Sequence, residues 1–176
     1  MDLLEHLMQE HRRAEHMMQR LSESEPGQER ERLVDELDDA LSTHMLVEEQ
    51  FLYPLVAKVI GGETREEAEV EHSLTRDGLM KLQDLSREPG FVAATEMLQA
   101  GVAHHVKEEE EEVFPELRQK APDEIAAMEP EQLEAQVRDE EQTRDELYER
   151  ARAAGIRGRS AMTKHELAEA VHRASA

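Results

Sequence analysis

Two segments of this chain read almost as copies, and both put histidine and glutamate on helical faces that ought to be apolar. HMLVEEQFLYP runs from His44 to Pro54, and HVKEEEEEVFP from His105 to Pro115. Each has a His, a Glu four residues later, and an aromatic–Pro pair at the same offset. Residues four apart on a helix project from one face, so His44 points with Glu48 and His105 with Glu109. Leu3, Leu4, Leu7, His11, Ala14 and Met18 form one stripe of helical period, and Leu33, Leu37, Leu41, His44, Glu48 and Leu52 another. Buried imidazoles and carboxylates cost several kcal/mol unless they are paired, hydrogen-bonded or coordinating a metal. One such pair alone reads more readily as an exposed i,i+4 contact than as a site. The recurrence, with the aromatic–Pro tail, favours ligation of a metal.

Glycine and proline set the architecture. Pro26-Gly27, Gly61-Gly62, Pro89-Gly90 and Pro122 divide residues 1–121 into four segments of comparable length. Four helices joined by short loops alternate in direction, which predicts an all-α, antiparallel up-down four-helix bundle over 1–121. The net charge of −21, from 42 acids against 21 Lys plus Arg, is compatible with disorder, but the 38% apolar residues are arranged periodically, as folded helices require. With no cysteine, the chain has no disulfide, thiolate zinc site, iron–sulfur cluster or nucleophilic thiol. Its acidity repels nucleic acid and anionic membranes. The start, MDLLEHLMQEHRR, carries an acid at once and no apolar run follows, so neither a signal peptide nor a membrane anchor is expected and the predicted location is cytoplasmic.

The other two bundle helices contribute His11 and His72. Four His and two Glu suit a two-metal carboxylate site, because imidazole binds iron, copper, nickel or zinc and carboxylates bridge two ions. One division gives His11 and His44 to one ion, His72 and His105 to the other, and shares Glu48 and Glu109. Spacing alone leaves the pairing open. Two His and two shared oxygens would leave open positions on each ion, unlike a closed structural site.

Other polar groups are expected elsewhere. His16 lies five residues after His11, about 140° around the helix. His104 and His6 are expected outside the site. Glu69, three residues before His72, is a reserve ligand by the Glu-x-x-His spacing of ferritin-like bundles. Glu108, Glu110, Glu111 and Glu112 read as a solvated face. Met8, Met17, Met18, Met45, Met80 and Met97 read as core filler rather than a tunnel lining, and Tyr53 and Phe114 as packing at the helix ends, with a Tyr53 hydroxyl bond to a shared Glu as the lesser alternative.

QEHRRAEHM, HMLVEEQFLYPL, VEHSLTRDGL and HHVKEEEEEVFPEL together resemble the hemerythrin-like HHE cation-binding domain family. The resemblance covers residues 1–121 and implies a non-haem di-iron site, oxo- or hydroxo-bridged, with His11, His44, Glu48, His72, His105 and Glu109 as metal ligands. It implies dioxygen, peroxide or nitric oxide as the small ligand. The family's oxygen carriers place two ligating His four apart on the third helix, whereas His72 is followed four residues later by Arg76. That departure favours redox turnover, with a catalase-like loss of peroxide as the activity to test, over reversible oxygen carriage.

Beyond Pro122 the texture changes. Residues 122–142 read as a helical linker in which Pro130 separates two short helices. Residues 143–176 read as helix, Gly-containing loop and helix, with Gly155 as a C-cap and Thr163 as an N-cap. DELYERARAAGIRGRSAMTKHELAEAV resembles the small SAP-like module at the N-terminus of Rho termination factors, which implies nucleic-acid contact through the basic residues of 150–164. A helical hairpin docking on the bundle or a partner explains the same residues. Two further functions follow: an oxygen or iron sensor that relays its state through this appendage, and a passive iron buffer. No phosphate-binding glycine loop or Ser-His-Asp arrangement is present to support a kinase or hydrolase.

Overall fold

A computed structural model describes residues 1–156 together with 170, 173 and 174. Among the described residues the secondary structure is entirely helical. The chain divides into two compact units, Met1–Leu133 and Glu134–Ala176. In the first unit lie α1 (Leu3–Ser22), α2 (Gln28–Val47), α3 (Tyr53–Val59), α4 (Gly62–Leu85), α5 (Phe91–Glu108), α6 (Phe114–Lys120) and α7 (Pro122–Ala126). Two single π turns interrupt this series: π1 (Glu48–Leu52) joins α2 to α3, and π2 (Glu109–Val113) joins α5 to α6. α1 packs on α2 and α5, and α4 packs on the same two helices, so the four long elements close a ring.

The helix boundaries have local causes. Asp2 and Glu5 form a reciprocal capping box at the start of α1, with Asp2 accepting from the Glu5 N–H at 2.8 Å and Glu5 accepting from the Asp2 N–H at 3.2 Å. Gly90 caps α5 at φ +97°, a left-handed conformation that glycine adopts without steric cost. The π turns precede Pro54 and Pro115, which lack an N–H and whose rings would press on the carbonyl four residues back. The Tyr53 N–H instead reaches Glu48 O, and the Phe114 N–H reaches Glu109 O, five residues back in each case. The wider turn accommodates the proline without ending the helix.

Both predicted stripes are buried along their whole length. They divide into two apolar ends around a polar layer. Met17, Met18, Leu21, Leu33, Leu37, Leu79, Leu82 and Phe91 belong to one apolar cluster. Leu3, Leu7, Leu52, Val56, Phe114 and Leu117 are buried beyond the His and Glu layer. Met17, Met18 and Met45 are core residues as expected, but Met80 and Met97 are 56% and 79% exposed. Each sits one residue from a core position, Leu79 or Leu98, and a single step turns a helix by about 100°.

Pro122 and Pro130 each occupy the first turn of a helix, where a missing N–H costs nothing. The second of these, α8 (Pro130–Ala153), is a long helix rather than the short one expected, since no breaker intervenes before Gly155. Gly155, at φ +67°, ends it as predicted: its N–H reaches Arg152 O at 3.0 Å and the Ile156 N–H reaches Ala151 O at 2.9 Å, the paired bonds of a glycine C-cap. The second part of the proposed Rho-like module, including its Thr163 cap and the loop from Arg157 to Lys164, lies outside the described residues.

Arg30 is a buried cation that periodicity did not reveal. It donates to Ser24 Oγ at 3.0 Å and Ser86 O at 3.3 Å, bonds Ser24 O, and lies 4.3 Å from the Phe91 ring centroid. One side chain thus ties the α1–α2 loop to the end of α4. Arg30→Ala should lower stability in urea by about 2–4 kcal/mol, because it strands buried acceptors and removes a cation–π contact. Metal content should stay unchanged, since His44 lies about 21 Å further along the same helix.

Candidate metal centre

The structure brings all six sequence-predicted site residues into one buried layer. Glu48 is 0% and Glu109 2% exposed, and His11, His44, His72 and His105 are buried around them. His11 Nε2 and His44 Nε2 face each other at 3.1 Å, and His72 Nε2 and His105 Nε2 do the same at 3.1 Å. The ring pairs match in distance and tilt, 4.8 Å between centroids and 65° between planes in both. Glu48 spans the two pairs, with Oε1 3.1 Å from His44 Nε2 and Oε2 3.2 Å from His72 Nε2. Glu109 Oε2 lies 3.4 Å from His11 Nε2 and 3.6 Å from His105 Nε2.

Each imidazole is oriented from behind by a carboxylate on a neighbouring helix. His11 Nδ1 meets Glu110 Oε1 at 2.8 Å, His44 Nδ1 meets Glu10 Oε2 at 3.0 Å, His72 Nδ1 meets Glu49 Oε1 at 2.9 Å, and His105 Nδ1 meets Glu71 Oε2 at 2.8 Å. A proton on Nδ1 satisfies each carboxylate and leaves the Nε2 lone pair directed inward. That is the tautomer in which histidine binds a metal. The four contacts run α1 to α2, π1 to α4, α4 to α5 and π2 to α1, so they lace the ring of helices together. Arg76 donates to both oxygens of Glu49, at 2.8 and 2.9 Å, and Arg12 bonds Glu110. Arg76 therefore buttresses the carboxylate that holds His72.

Sequence reading missed these four carboxylates, and it misplaced one. By sequence Glu110 reads as part of a solvated face, but its position one step from Glu109 turns it toward α1, where it meets His11. A signal was available. His11 and His72, His44 and His105, Glu48 and Glu109, Glu10 and Glu71, and Glu49 and Glu110 are all related by one shift of 61 positions. The site is thus pseudo-symmetric, each half being a helix pair carrying the same five side chains. The symmetry breaks at Tyr53 and its counterpart Phe114. The Tyr53 hydroxyl donates to Glu109 Oε1 at 3.1 Å and lies 3.0 Å from His72 Nε2, while Phe114 stacks 6.0 Å from His11. Tyr53 is therefore part of the polar layer as well as of the packing.

The remaining candidates lie elsewhere. His16 is exposed on α1. His104 is 64% exposed and reaches Glu71 and Glu108 at 3.5 and 3.3 Å. His6 approaches Glu10 at 3.8 Å, one turn away. Glu69 pairs with Arg65 at 2.8 Å on a half-exposed face, away from the reserve role.

The donors fit a cation. Both oxygens of Glu48, and Glu109 Oε2, are buried without a hydrogen-bond partner, and unpaired buried carboxylate oxygens are too costly to leave uncompensated. His11, His44, Glu48 and Glu109 can offer four ligand atoms within 4.8 Å of one another, and Glu48, His72 and His105 offer a second set of three. Without metal, protons take the cation's place. Burial alone would lower the His44 pKa, but Glu48 and Glu10 outweigh it and raise it well above the usual value. Burial opposes charge on His72 too, yet Glu48 and Glu49 push it up to about 9. Glu48, despite burial, is held well below the usual carboxylate range by His44 and His72.

An all-helical protein whose core holds two His/Glu clusters suited to cations is the class these observations define. Residues 2–117 match the Hemerythrin HHE cation binding domain, and the chain belongs to that family. Searches of curated proteins and of solved structures found no match. No helix among the described residues is long and apolar enough to cross a membrane.

The pKa directions give a signed expectation for the metal-free protein. The contribution of His72 is fully present below its ordinary value of 6.5 and is lost as pH rises through about 9, and His44 acts in the same direction. The contribution of Glu48 is present above 4.5 and is lost as pH falls through its depressed folded value. Metal-free protein should melt highest between pH 4.5 and 6.5 and lose melting temperature toward pH 9. Scanning calorimetry across that range checks this, with His72→Gln expected to flatten the alkaline decline.

Proposed function

We propose that residues 1–121 form an antiparallel up-down four-helix bundle holding two iron ions, and that the protein binds or turns over dioxygen or peroxide there. His11 and His44 would hold one ion and His72 and His105 the other, with Glu48 and Glu109 within reach of both. The observation that carries this reading is the set of three unpartnered buried carboxylate oxygens facing four inward Nε2 atoms. A mixed nitrogen and carboxylate set suits iron, and it matches the cation-binding character of the family. Iron would supply redox change and open positions for an oxygen ligand.

The chain's own groups complete the reading. Arg76 stands one turn beyond His72, where the oxygen carriers have a further His, and it holds Glu49 instead. The second half of the site is thereby short of a nitrogen donor, which favours turnover over reversible carriage. Tyr53 keeps a proton: burial, with Glu48 and Glu109 beside it, raises its pKa far above the usual phenol value. Its hydroxyl can hold that proton against Glu109 at 3.1 Å, at one half of the site only.

The test is metal analysis with an ultraviolet–visible spectrum of aerobically purified protein, before and after peroxide. Two irons per chain, near-ultraviolet absorbance and peroxide consumption are expected. Glu48→Gln and Glu109→Gln should each abolish both signals while leaving the helical circular dichroism intact. Peroxide loss that persists in iron-free protein would overturn the redox reading. Glu49→Gln and Glu71→Gln should weaken iron binding about 10–100-fold, the usual cost of losing a carboxylate that orients a ligating His, as measured by competition with a chelator.

A further inference from the structure

The two halves of the site share their inner residues but differ in how they meet solvent. At the half built by His72 and His105, a groove of about 110 Å³ leads in from the surface. Its walls carry Thr64, Glu67, Ala68 and Glu71 from α4 and Glu108 and Glu112 from α5 and π2, and Glu109 and His105 also line it. Shifted by the same 61 positions, the counterparts of Thr64, Ala68, Glu108 and Glu112 are Leu3, Leu7, Val47 and Phe51. Leu3, Leu7 and Val47 are buried at 0%, 0% and 2% exposure. The positions that line this groove are therefore filled by large apolar side chains in the other half, whose surface cleft lies elsewhere, beside His11, Arg12 and Lys107.

We propose that this groove is the route by which a divalent cation reaches the buried cluster. This rests on the metal reading above. Acidic side chains alone would mark only a charged surface. Here they lead to Glu109, which is 2% exposed and has a carboxylate oxygen without a hydrogen-bond partner. Glu67 and Glu112 are exposed and have no ion-pair partner among the described residues, so their charge is free to attract a cation. At the rim, Glu71, His104 and Glu108 can offer three ligand atoms within 4.8 Å of one another. Glu71 also holds His105 through Nδ1, which joins the rim to the buried layer by one side chain. A hydrated cation drawn to the rim can exchange water for carboxylate oxygens in steps, which lowers the cost of desolvation along the way.

Stopped-flow uptake of cobalt(II) by metal-free full-length protein, followed by its visible absorbance, tests the route separately from any redox activity. Glu67→Gln/Glu108→Gln/Glu112→Gln should load about tenfold more slowly at low ionic strength, with weaker salt dependence, because local charge focusing is lost. Thr64→Leu/Ala68→Leu, which copies the apolar counterparts Leu3 and Leu7, should also slow loading. Both should reach the wild-type cobalt content. Release to excess chelator should slow by a similar factor, since a route serves both directions. A control of equal charge change, Glu29→Gln/Asp35→Asn/Asp39→Asn, should load at the wild-type rate. Wild-type loading by both groove variants, or equal slowing by the control, would overturn the route while leaving the metal site standing. Failure of the wild-type protein to take up cobalt would overturn the site reading and the route with it.

Discussion

Two carboxylates buried between four imidazoles are the constraint on which the rest of this molecule depends. Glu48 is 0% and Glu109 2% exposed, and three of their oxygens lack a hydrogen-bond partner. Uncompensated, each charge would cost more than a small helical domain has to spare. Positive charge must therefore reside between them, as metal or as protons on His44 and His72. The surrounding architecture holds the imidazoles in place for it. Carboxylates fix all four rings from outside, and Arg12 and Arg76 hold two of those carboxylates in turn.

Because each supporting carboxylate reaches a neighbouring helix, the polar layer also acts as a clasp. The apolar clusters above and below it supply burial, which does not specify direction or register. The His–Glu contacts do, since a shift of one residue in any helix would withdraw a lone pair from the centre. Near-equal geometry in the two halves follows from the 61-residue shift between them. The departures from it are Tyr53 against Phe114, and an acidic groove against the apolar side chains of Leu3, Leu7 and Val47.

Much of the fold and the inner site was legible because helical periodicity is a local property. The stripes containing His11, His44 and Glu48 had to face inward, and their side chains are buried. What escaped were groups whose role depends on a second helix. Glu10, Glu49 and Glu71 look like ordinary surface acids beside more conspicuous neighbours, and Glu110 sits in a run of five glutamates. The arrangement of helices decides which of them meets an imidazole. Met80 and Met97 failed in the opposite sense: their composition suggested core, but the helix wheel turns them to solvent.

The comparison of His16 with Tyr53 separates what local sequence determined from what tertiary structure decided. Each lies five residues beyond a site residue, His11 or Glu48. In the regular α1, that spacing turns His16 about 140° away, and it is exposed. Ahead of Pro54 the backbone widens into a π turn, the Tyr53 N–H bonds to Glu48 O, and the phenol arrives against Glu109. By itself the sequence determined helix, stripe, break points and the inner His and Glu, because each follows from hydrogen bonding and burial within a turn or two of chain. Tertiary structure alone decided which acids support which histidines, where the phenol points and where the acidic groove lies. Those depend on contacts between helices distant in sequence, whose energies no single segment contains.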